Sequence, residues 1–220
     1  MALTTLGVVI VPVTGFQQNC SIVFEAQTKR AAVVDPGGDV PRILSALKEH
    51  GVAAERIWLT HGHIDHAGGA MELKEALGGV PIEGPDKRDK FLLDGLPGKA
   101  LEYRMQGVRA ATPDRWLSEG ETLSLGDLMF QVLHVPGHTP GSLVFYNDAN
   151  KFALVGDTVF RGSIGRTDME YGDHKALVAA IRSKLLPLGD DVTFLPGHGP
   201  HGTFGQERQT NPYIGDGAGL

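Results

Sequence analysis

The sequence predicts an α/β protein in which β-sheets and helices form layers. Apolar runs of strand length alternate along the chain with segments of helical periodicity. Residues able to bind metal ions recur just after these runs and beside glycine, in the strand-end loops where α/β sheets build their sites. The chain has 220 residues and is 41% hydrophobic, which suits one domain with a full core. We therefore predict that residues 1–220 form a single domain.

The first part of the chain is predicted to begin with antiparallel strands. The runs GVVIVPV, NCSIVFEA and AAVVDPGG have the composition of successive strands separated by turns. Residues 39–50 place apolar side chains at helical spacing, with Asp39 as the expected N-cap and Gly51 as the stop. RIWLT follows as a buried strand, and residues 67–77 are predicted to form a second helix.

The second part of the chain is predicted to contain more strands and a further helix. Residues 84–118 show no clear periodicity, and DKRDK, residues 86–90, is interpreted as the solvated start of a helix. The runs ETLSLGDLMFQVLHV, GSLVFYND, KFALVGD and DVTFLPG indicate strands. Residues 173–186 indicate a helix capped by Asp173.

Charge and cysteine content limit the classes of partner. The formal net charge is −6 and the basic residues are scattered, which disfavours a nucleic-acid or anionic membrane surface. No apolar run is long enough to span a bilayer, so we expect no membrane anchor. Cys20 is the only cysteine, which fits a reducing compartment, and we expect a cytoplasmic protein. A small-molecule substrate is the favoured partner.

The stretch LTHGHIDHAGG, residues 59–69, contains the strongest functional pattern. An i, i+2 pair such as His61 and His63 on an extended segment can converge on one cation, because imidazole nitrogens are good ligands for zinc and related metals. Asp65 and His66 open the following turn and can face a second point. The alternative is a polar turn without a metal, which suits a lone histidine better than four such side chains. We therefore predict a metal site.

Three later strand ends repeat this arrangement. VLHVPGHTPGS places His138 just past an apolar strand, ALVGDTVF places Asp157 there, and VTFLPGHGP places His198 there. A single PGH or GD turn is weak evidence. Together with the first motif, these segments supply five histidines and two aspartates.

The motif HGHIDH, followed in order by His138, Asp157 and His198, resembles the metallo-β-lactamase superfamily. The resemblance implies an αββα sandwich, in which two mixed β-sheets are flanked by helices and the site lies along one edge. It also implies two divalent metal ions, with zinc favoured and iron or manganese as alternatives, because such ligands suit all three. The implied ligands are His61, His63 and His138 for the first metal, Asp65, His66 and His198 for the second, and Asp157 as the bridge. Asp65 is also predicted to be a catalytic residue.

Further motifs resemble glyoxalase II-like hydrolases, in particular the short single-domain bacterial hydroxyacylglutathione hydrolases. They are DPGGD, THGHIDHAGG, TPDRWLSEGE, PGHTPGS, GDTVFRGSIGR, LLPLGDDVTFLPGHGP and ERQTNPY, which extend over nearly the whole chain. The resemblance implies that a metal-bound hydroxide cleaves S-acylglutathione thioesters, such as S-lactoylglutathione, into glutathione and a hydroxy acid. Two-domain glyoxalase II supplies basic residues to glutathione from a C-terminal domain, whereas here Arg166 in SIGRTD is expected to bind a substrate carboxylate.

Other functions remain open at the level of sequence. GRTD together with ERQTNP resembles persulfide dioxygenases, which bind one iron through two histidines and one aspartate and oxidise glutathione persulfide. The corresponding residues are His61, His138 and Asp157. A lactonase or lactamase is a lesser alternative. A metal-stabilised binding module is disfavoured, because a structural zinc needs only four ligands and closes its shell.

Overall fold

The computed structural model describes residues 4–218 and places two β-sheets face to face. The first sheet has five strands in sequence order: β1 (Leu6–Val13), β2 (Gln18–Glu25), β3 (Arg30–Val34), β4 (Ala53–Trp58) and β5 (Ile82–Glu83). The first three strands pair antiparallel, as predicted, and β3, β4 and β5 pair in parallel. The first sheet is therefore mixed.

The second sheet is also mixed. Its six strands are β6 (Thr122–Leu125), β7 (Leu128–His134), β8 (Leu143–Asn147), β9 (Phe152–Gly156), β12 (Thr193–Pro196) and β13 (Gly202–Thr203). They lie in the order β13-β12-β9-β8-β7-β6, in which β9 and β12 are parallel. A separate hairpin joins β10 (Val159–Phe160) to β11 (Ser163–Ile164).

The helices are α1 (Val40–Glu49), α2 (Ile64–Ala67), α3 (Ala70–Ala76), α4 (Lys90–Tyr103), α5 (His174–Ala180) and α6 (Phe204–Thr210). The helix predicted at residues 67–77 is present as the shorter α3, and a separate short helix, α2, precedes it inside the histidine motif. The helix predicted at residues 173–186 is present as α5, which continues through a π-helical turn at Ile181–Leu185. Within residues 4–218, no helix combines the length and the apolar character needed to cross a membrane.

Side chains on β3 show why its apolar run is continuous. Ala31 and Val33 belong to a core that also contains Ile43 of α1, whereas Ala32 and Val34 belong to the core between the sheets. Successive side chains of a strand point to opposite faces, so a strand covered on both sides is apolar at every position. Strand β3 is therefore buried on both faces.

The central strands of the second sheet are covered in the same way. Phe145 of β8 lies in the core between the sheets, and its neighbour Val144 packs in a third core with Leu177 of α5 and Phe204 of α6. The layers are therefore helix, sheet, sheet and helix, which confirms the predicted αββα sandwich.

The two expected helix caps have different outcomes. The Asp173 carboxylate accepts a hydrogen bond from the Ala176 N–H at 2.9 Å, which confirms this cap. Asp39 occupies the N-cap position of α1, but its φ of 49° is left-handed and its carboxylate makes no capping hydrogen bond. That carboxylate instead accepts from the Thr14 N–H at 2.6 Å. The predicted N-cap position is therefore confirmed, but the Asp39 side chain does not cap the helix, because a side-chain cap normally requires an extended backbone.

The DKRDK segment also departs from the prediction. We expected residues 86–90 to be solvated, yet the structure buries Asp86 and Asp89, which are 6% and 0% exposed. Asp86 accepts a hydrogen bond from the Arg88 N–H at 3.0 Å and begins a short 3₁₀ turn that leads into α4. The prediction holds for Lys87, Arg88 and Lys90, which are exposed, and was wrong for the two aspartates. Asp89 is buried because its carboxylate accepts from three buried donors that lie far away in sequence.

Candidate metal centre

Backbone hydrogen bonds hold the predicted ligand loops together. The Gly197 N–H, next to His198, donates to the carbonyl of Gly156, next to Asp157, at 2.8 Å. The Leu143 N–H donates to the carbonyl of Thr60, next to His61, at 2.8 Å and so connects the two sheets. The loops that follow β4, β9 and β12 consequently meet at one edge of the sandwich.

The first cluster consists of His61, His63 and His138. Nδ1 of His63 lies 3.2 Å from Nε2 of His61 and 3.0 Å from Nε2 of His138. Burial lowers the pKa of all three imidazoles, for His63 to about 3. These rings are therefore neutral at pH 7, which is the form that binds a metal ion. The structure thus brings the three residues together with the geometry and protonation of a metal site.

The second cluster consists of Asp65, His66 and His198. Nε2 of His198 lies 3.0 Å from the Asp65 carboxylate, and Nε2 of His66 lies 3.8 Å from it. The potential ligand atoms of all three residues lie within 4.8 Å of one another. This group is therefore a second candidate metal site.

Asp157 lies between the two clusters. Its Oδ1 is 3.3 Å from Nε2 of His66, and its Oδ2 is 3.7 Å from Nε2 of both His138 and His198. Burial opposes ionisation of Asp157, but the neighbouring imidazoles of His66, His138 and His198 together outweigh this effect and lower the pKa of the carboxyl group. An ionised carboxylate that faces both clusters has the position required of a bridging ligand.

Two buried atoms at the centre fit a bound cation. Among the described residues, Nε2 of His66 and Oδ1 of Asp157 are buried side-chain atoms without a hydrogen-bond partner. Leaving such atoms unsatisfied is costly, so a ligand is expected between them. Gly197 leaves space beside this pair, because an added Cβ would lie 2.2 Å from Oδ1 of Asp157 and 2.4 Å from Cε1 of His66. The residues present therefore fit a dinuclear site.

Asp35 supports the centre from behind and was not selected from the sequence. Its carboxylate accepts from the Thr60 N–H at 2.7 Å and from the Thr60 hydroxyl at 2.6 Å, and it lies 2.9 Å from Nδ1 of His66. With its Nδ1 proton donated to Asp35, His66 would have Nε2 available for a bound cation. Asp35 thus orients a ligand. The only sequence signal for this role was its place in the DPGGD motif after β3.

His63 and His138 have orienting partners of the same kind. His63 directs Nδ1 into the first cluster, so its Nε2 carries the proton and donates to the Tyr171 hydroxyl at 2.8 Å. Nδ1 of His138 donates to the Arg166 carbonyl at 2.9 Å, which leaves Nε2 free for a metal. Tyr171 was missed in the sequence because nothing nearby in the chain marks it as a partner of a ligand.

Asp89 connects two ligand loops. Its carboxylate accepts from the Gly62 N–H at 2.9 Å, from the Thr139 hydroxyl at 2.7 Å and from the Gly141 N–H at 2.6 Å. Gly62 separates His61 from His63, and Thr139 follows His138. Burial raises the pKa of Asp89 to about 6, although these hydrogen bonds favour the ionised form. Asp89 therefore fixes the relative position of all three candidate ligands in the first cluster.

A cavity of about 910 Å³ opens onto the centre. Ligands from both clusters lie in its wall, together with apolar side chains such as Leu92, Leu96 and Met169. Arg166 also lines the cavity, and its exposed side chain forms an ion pair with Asp168 at 2.8 Å. The volume lies within the range of roughly 300–1,000 Å³ that is typical of small-molecule sites.

Comparison with known proteins identifies the family of this chain. The family model of the metallo-beta-lactamase superfamily matches residues 13–198. The chain belongs to the metallo-β-lactamase superfamily. It is 45% identical to the hydroxyacylglutathione hydrolase GloC of Haemophilus influenzae over 95% of this chain and 98% of that protein. The predicted family is thereby confirmed, and the chain is an enzyme of this hydrolase superfamily.

Two solved structures of the superfamily share the fold. TTHA1623 in a di-iron-bound form is 35% identical, with a TM-score of 0.83 over 93% of this chain and 99% of that chain. BLEG-1, a B3 metallo-beta-lactamase, is 33% identical, with a TM-score of 0.84 over 94% of this chain and 99% of that chain. Together with the two clusters, superfamily membership indicates a dinuclear divalent metal site.

Gly197→Ala is expected to lower metal occupancy. The new methyl group would lie 2.2 Å from Oδ1 of Asp157 and would displace this carboxylate from between the clusters. Metal analysis should show that the metal-to-protein ratio falls by about one ion per chain or more. Gly98→Ala is the matched control, because a Cβ at Gly98 would meet nothing within 4 Å. Full occupancy in Gly197→Ala would contradict the placement of a cation beside this glycine.

Proposed function

We propose that the protein hydrolyses S-acylglutathione thioesters, such as S-lactoylglutathione, into glutathione and a hydroxy acid. The observation that carries this proposal is the pair of ligand clusters joined by Asp157 in the wall of a cavity with apolar and cationic side chains. The name of the 45% identical relative, a hydroxyacylglutathione hydrolase, supports the same substrate class. The proposed ligands are His61, His63, His138, Asp65, His66, His198 and Asp157.

The ligand set is suited to two divalent cations, and we propose zinc, with iron or manganese as alternatives. When bound, such cations lower the pKa of water toward 7 and stabilise negative charge on a carbonyl oxygen. The chain supplies five imidazoles and two carboxylates, so its ligands carry less negative charge than two dications carry positive charge. This excess favours the negative charge that develops on a thioester carbonyl.

Two candidate ligands of the second cluster are accessible from the cavity. His198 and Asp65 retain side-chain exposures of 31% and 16%, whereas His66 is fully buried. His63 and His138 of the first cluster line the same cavity, so substrate reaches both clusters from it. In this arrangement Asp65 contributes to catalysis by fixing the exposed part of the centre beside the reacting carbonyl.

Arg166→Ala is expected to raise KM for S-lactoylglutathione more than it lowers kcat. The guanidinium lies in the cavity wall and outside the ligand clusters, so we assign it to binding a substrate carboxylate. Loss of an interaction present equally in the substrate and the transition state raises KM and leaves kcat unchanged. Steady-state kinetics measure the two constants separately. A large loss of kcat at constant KM would show that Arg166 takes part in the chemistry instead.

Persulfide oxidation is the alternative, since His61 and His138 of the first cluster, with Asp157 beside them, form a set of two histidines and one aspartate. Metal analysis of protein purified without added metal should accompany assays of S-lactoylglutathione hydrolysis and of oxygen uptake with glutathione persulfide. We expect the zinc-reconstituted protein to hydrolyse the thioester. Oxygen uptake by the iron form alone, unaffected in Asp65→Ala, would establish the alternative.

A further inference from the structure

One face of α4 forms a wall of the cavity, and its polarity changes along the helix. Leu92, Leu96 and Lys99 follow one another at helical spacing and all line the cavity, with Glu102 and Tyr103 one turn further on. The near end of this stripe packs on the histidine motif, because a Cβ at Gly62 would lie 2.8 Å from Cβ of Leu92. The wall therefore changes from apolar beside the metal centre to charged at its far end.

The charged end presents both signs. Nζ of Lys99 lies 2.7 Å from the Glu102 carboxylate, and both side chains line the cavity while remaining 56% exposed. Tyr103 packs edge-to-face on Phe16 with ring centroids 5.3 Å apart, and Nζ of Lys99 lies 6.0 Å from the Tyr103 ring. The aromatic contact ties the end of α4 to the loop that precedes β2, so the pair has a defined place in the wall.

The length of the wall matches a tripeptide thiol. Leu92 and Lys99 are seven residues apart, which corresponds to about 10 Å along a helix axis. In glutathione the sulfur is on the central cysteine, and the seven bonds from this sulfur to the γ-glutamyl α-carbon span about 8 Å when extended, which is close to the length of the wall. In S-acylglutathione the thioester must lie at the metal centre, and the γ-glutamyl group carries an α-ammonium and an α-carboxylate at the other end. A paired lysine and glutamate complement these two charges.

We infer that Lys99 and Glu102 bind the zwitterionic γ-glutamyl end of the substrate, the α-carboxylate at Lys99 and the α-ammonium at Glu102. The inference rests on the proposed function, and it adds a specificity-determining pair on α4. Arg166, on a different wall segment, binds the glycine carboxylate. The two ends of the tripeptide are thus bound by separate elements of the same chain.

Two thioesters separate these roles in a kinetic test. S-lactoylglutathione has both ends, whereas the S-lactoyl thioester of N-acetylcysteinylglycine retains the glycine carboxylate and lacks the γ-glutamyl group. Lys99→Ala is expected to raise KM for S-lactoylglutathione roughly tenfold, the value of one charge-assisted hydrogen bond in a partly exposed site. It should leave KM for the truncated thioester unchanged. Glu102→Gln should act in the same direction, and Arg166→Ala should raise KM for both thioesters.

Lys90→Ala provides a matched control on the same helix. Lys90 pairs with Asp94 at 2.5 Å, and both side chains are 56% exposed, as in the Lys99 pair. This variant should bind and hydrolyse both thioesters like the unmodified protein. If Lys99→Ala changes KM for both thioesters equally, or for neither, the assignment of the γ-glutamyl end is overturned.

A binding measurement distinguishes failure of this inference from failure of the proposed function. Calorimetry of the metal-loaded protein with S-methylglutathione, which is not a thioester, should show weaker binding to Lys99→Ala and unchanged binding to Lys90→Ala. Lys99-dependent binding without thioester hydrolysis would retain the inference and overturn the proposed reaction. Hydrolysis with Lys99-independent binding would do the reverse.

Discussion

Asp157→Ala is expected to lose metal from both positions and to lower kcat for thioester hydrolysis by more than about 100-fold. The two carboxylate oxygens face different partners, Oδ1 toward His66 and Oδ2 toward His138 and His198. Without this carboxylate, no negative charge lies between two cations held mainly by neutral imidazoles. Metal analysis of the purified variant, beside its steady-state kinetics, measures both effects.

Asp65→Ala is the informative comparison for this variant. Asp65 contacts only the second cluster among the predicted metal positions, so its loss should empty mainly one position and sharply reduce kcat. Asp148→Ala is a suitable surface control, because the Asp148 side chain is 63% exposed and pairs with Lys151. If Asp157→Ala retained two metal ions per chain, the bridging role would be wrong.

Asp89→Ala is expected to lower the free energy of unfolding by about 3 kcal/mol or more, because three buried donors would lose their acceptor. The same change should weaken metal binding at the first cluster by about 10- to 100-fold, since Gly62 and Thr139 adjoin its ligands. Urea unfolding of the metal-free protein and a metal-binding titration measure these two quantities separately.

Two milder variants test the cause of this effect. Thr139→Val removes only the hydroxyl donor and should cost about 1 kcal/mol. Asp89→Asn keeps one acceptor oxygen, so its loss should lie between those of the other two variants. An unfolding free energy for Asp89→Ala within about 0.5 kcal/mol of the unmodified protein would show that the two loops hold their positions without this carboxylate.

The sequence was sufficient for the features that depend on local order. The central strands of both sheets are apolar on successive positions, and histidine and aspartate side chains directly follow several strands, so the layered fold and the candidate ligands could be predicted from periodicity and spacing. No helix could be predicted within residues 84–118, because α4 contains Gly95, Pro97 and Gly98, which interrupt a helical pattern. The position of α4 depends instead on its packing against the loop at Gly62.

By itself, then, the sequence determined the layered α/β architecture and the residues proposed to bind metal, since both arise from patterns spanning a few neighbouring positions. Only the tertiary structure decided which residues hold those ligands in place. Asp89 is hydrogen-bonded to Gly62, 27 positions away in the chain, and Tyr171 to His63, 108 positions away. A carboxylate in a charged run has the local pattern of a solvated residue, and it becomes a buried acceptor only when the fold brings distant N–H and hydroxyl groups to it.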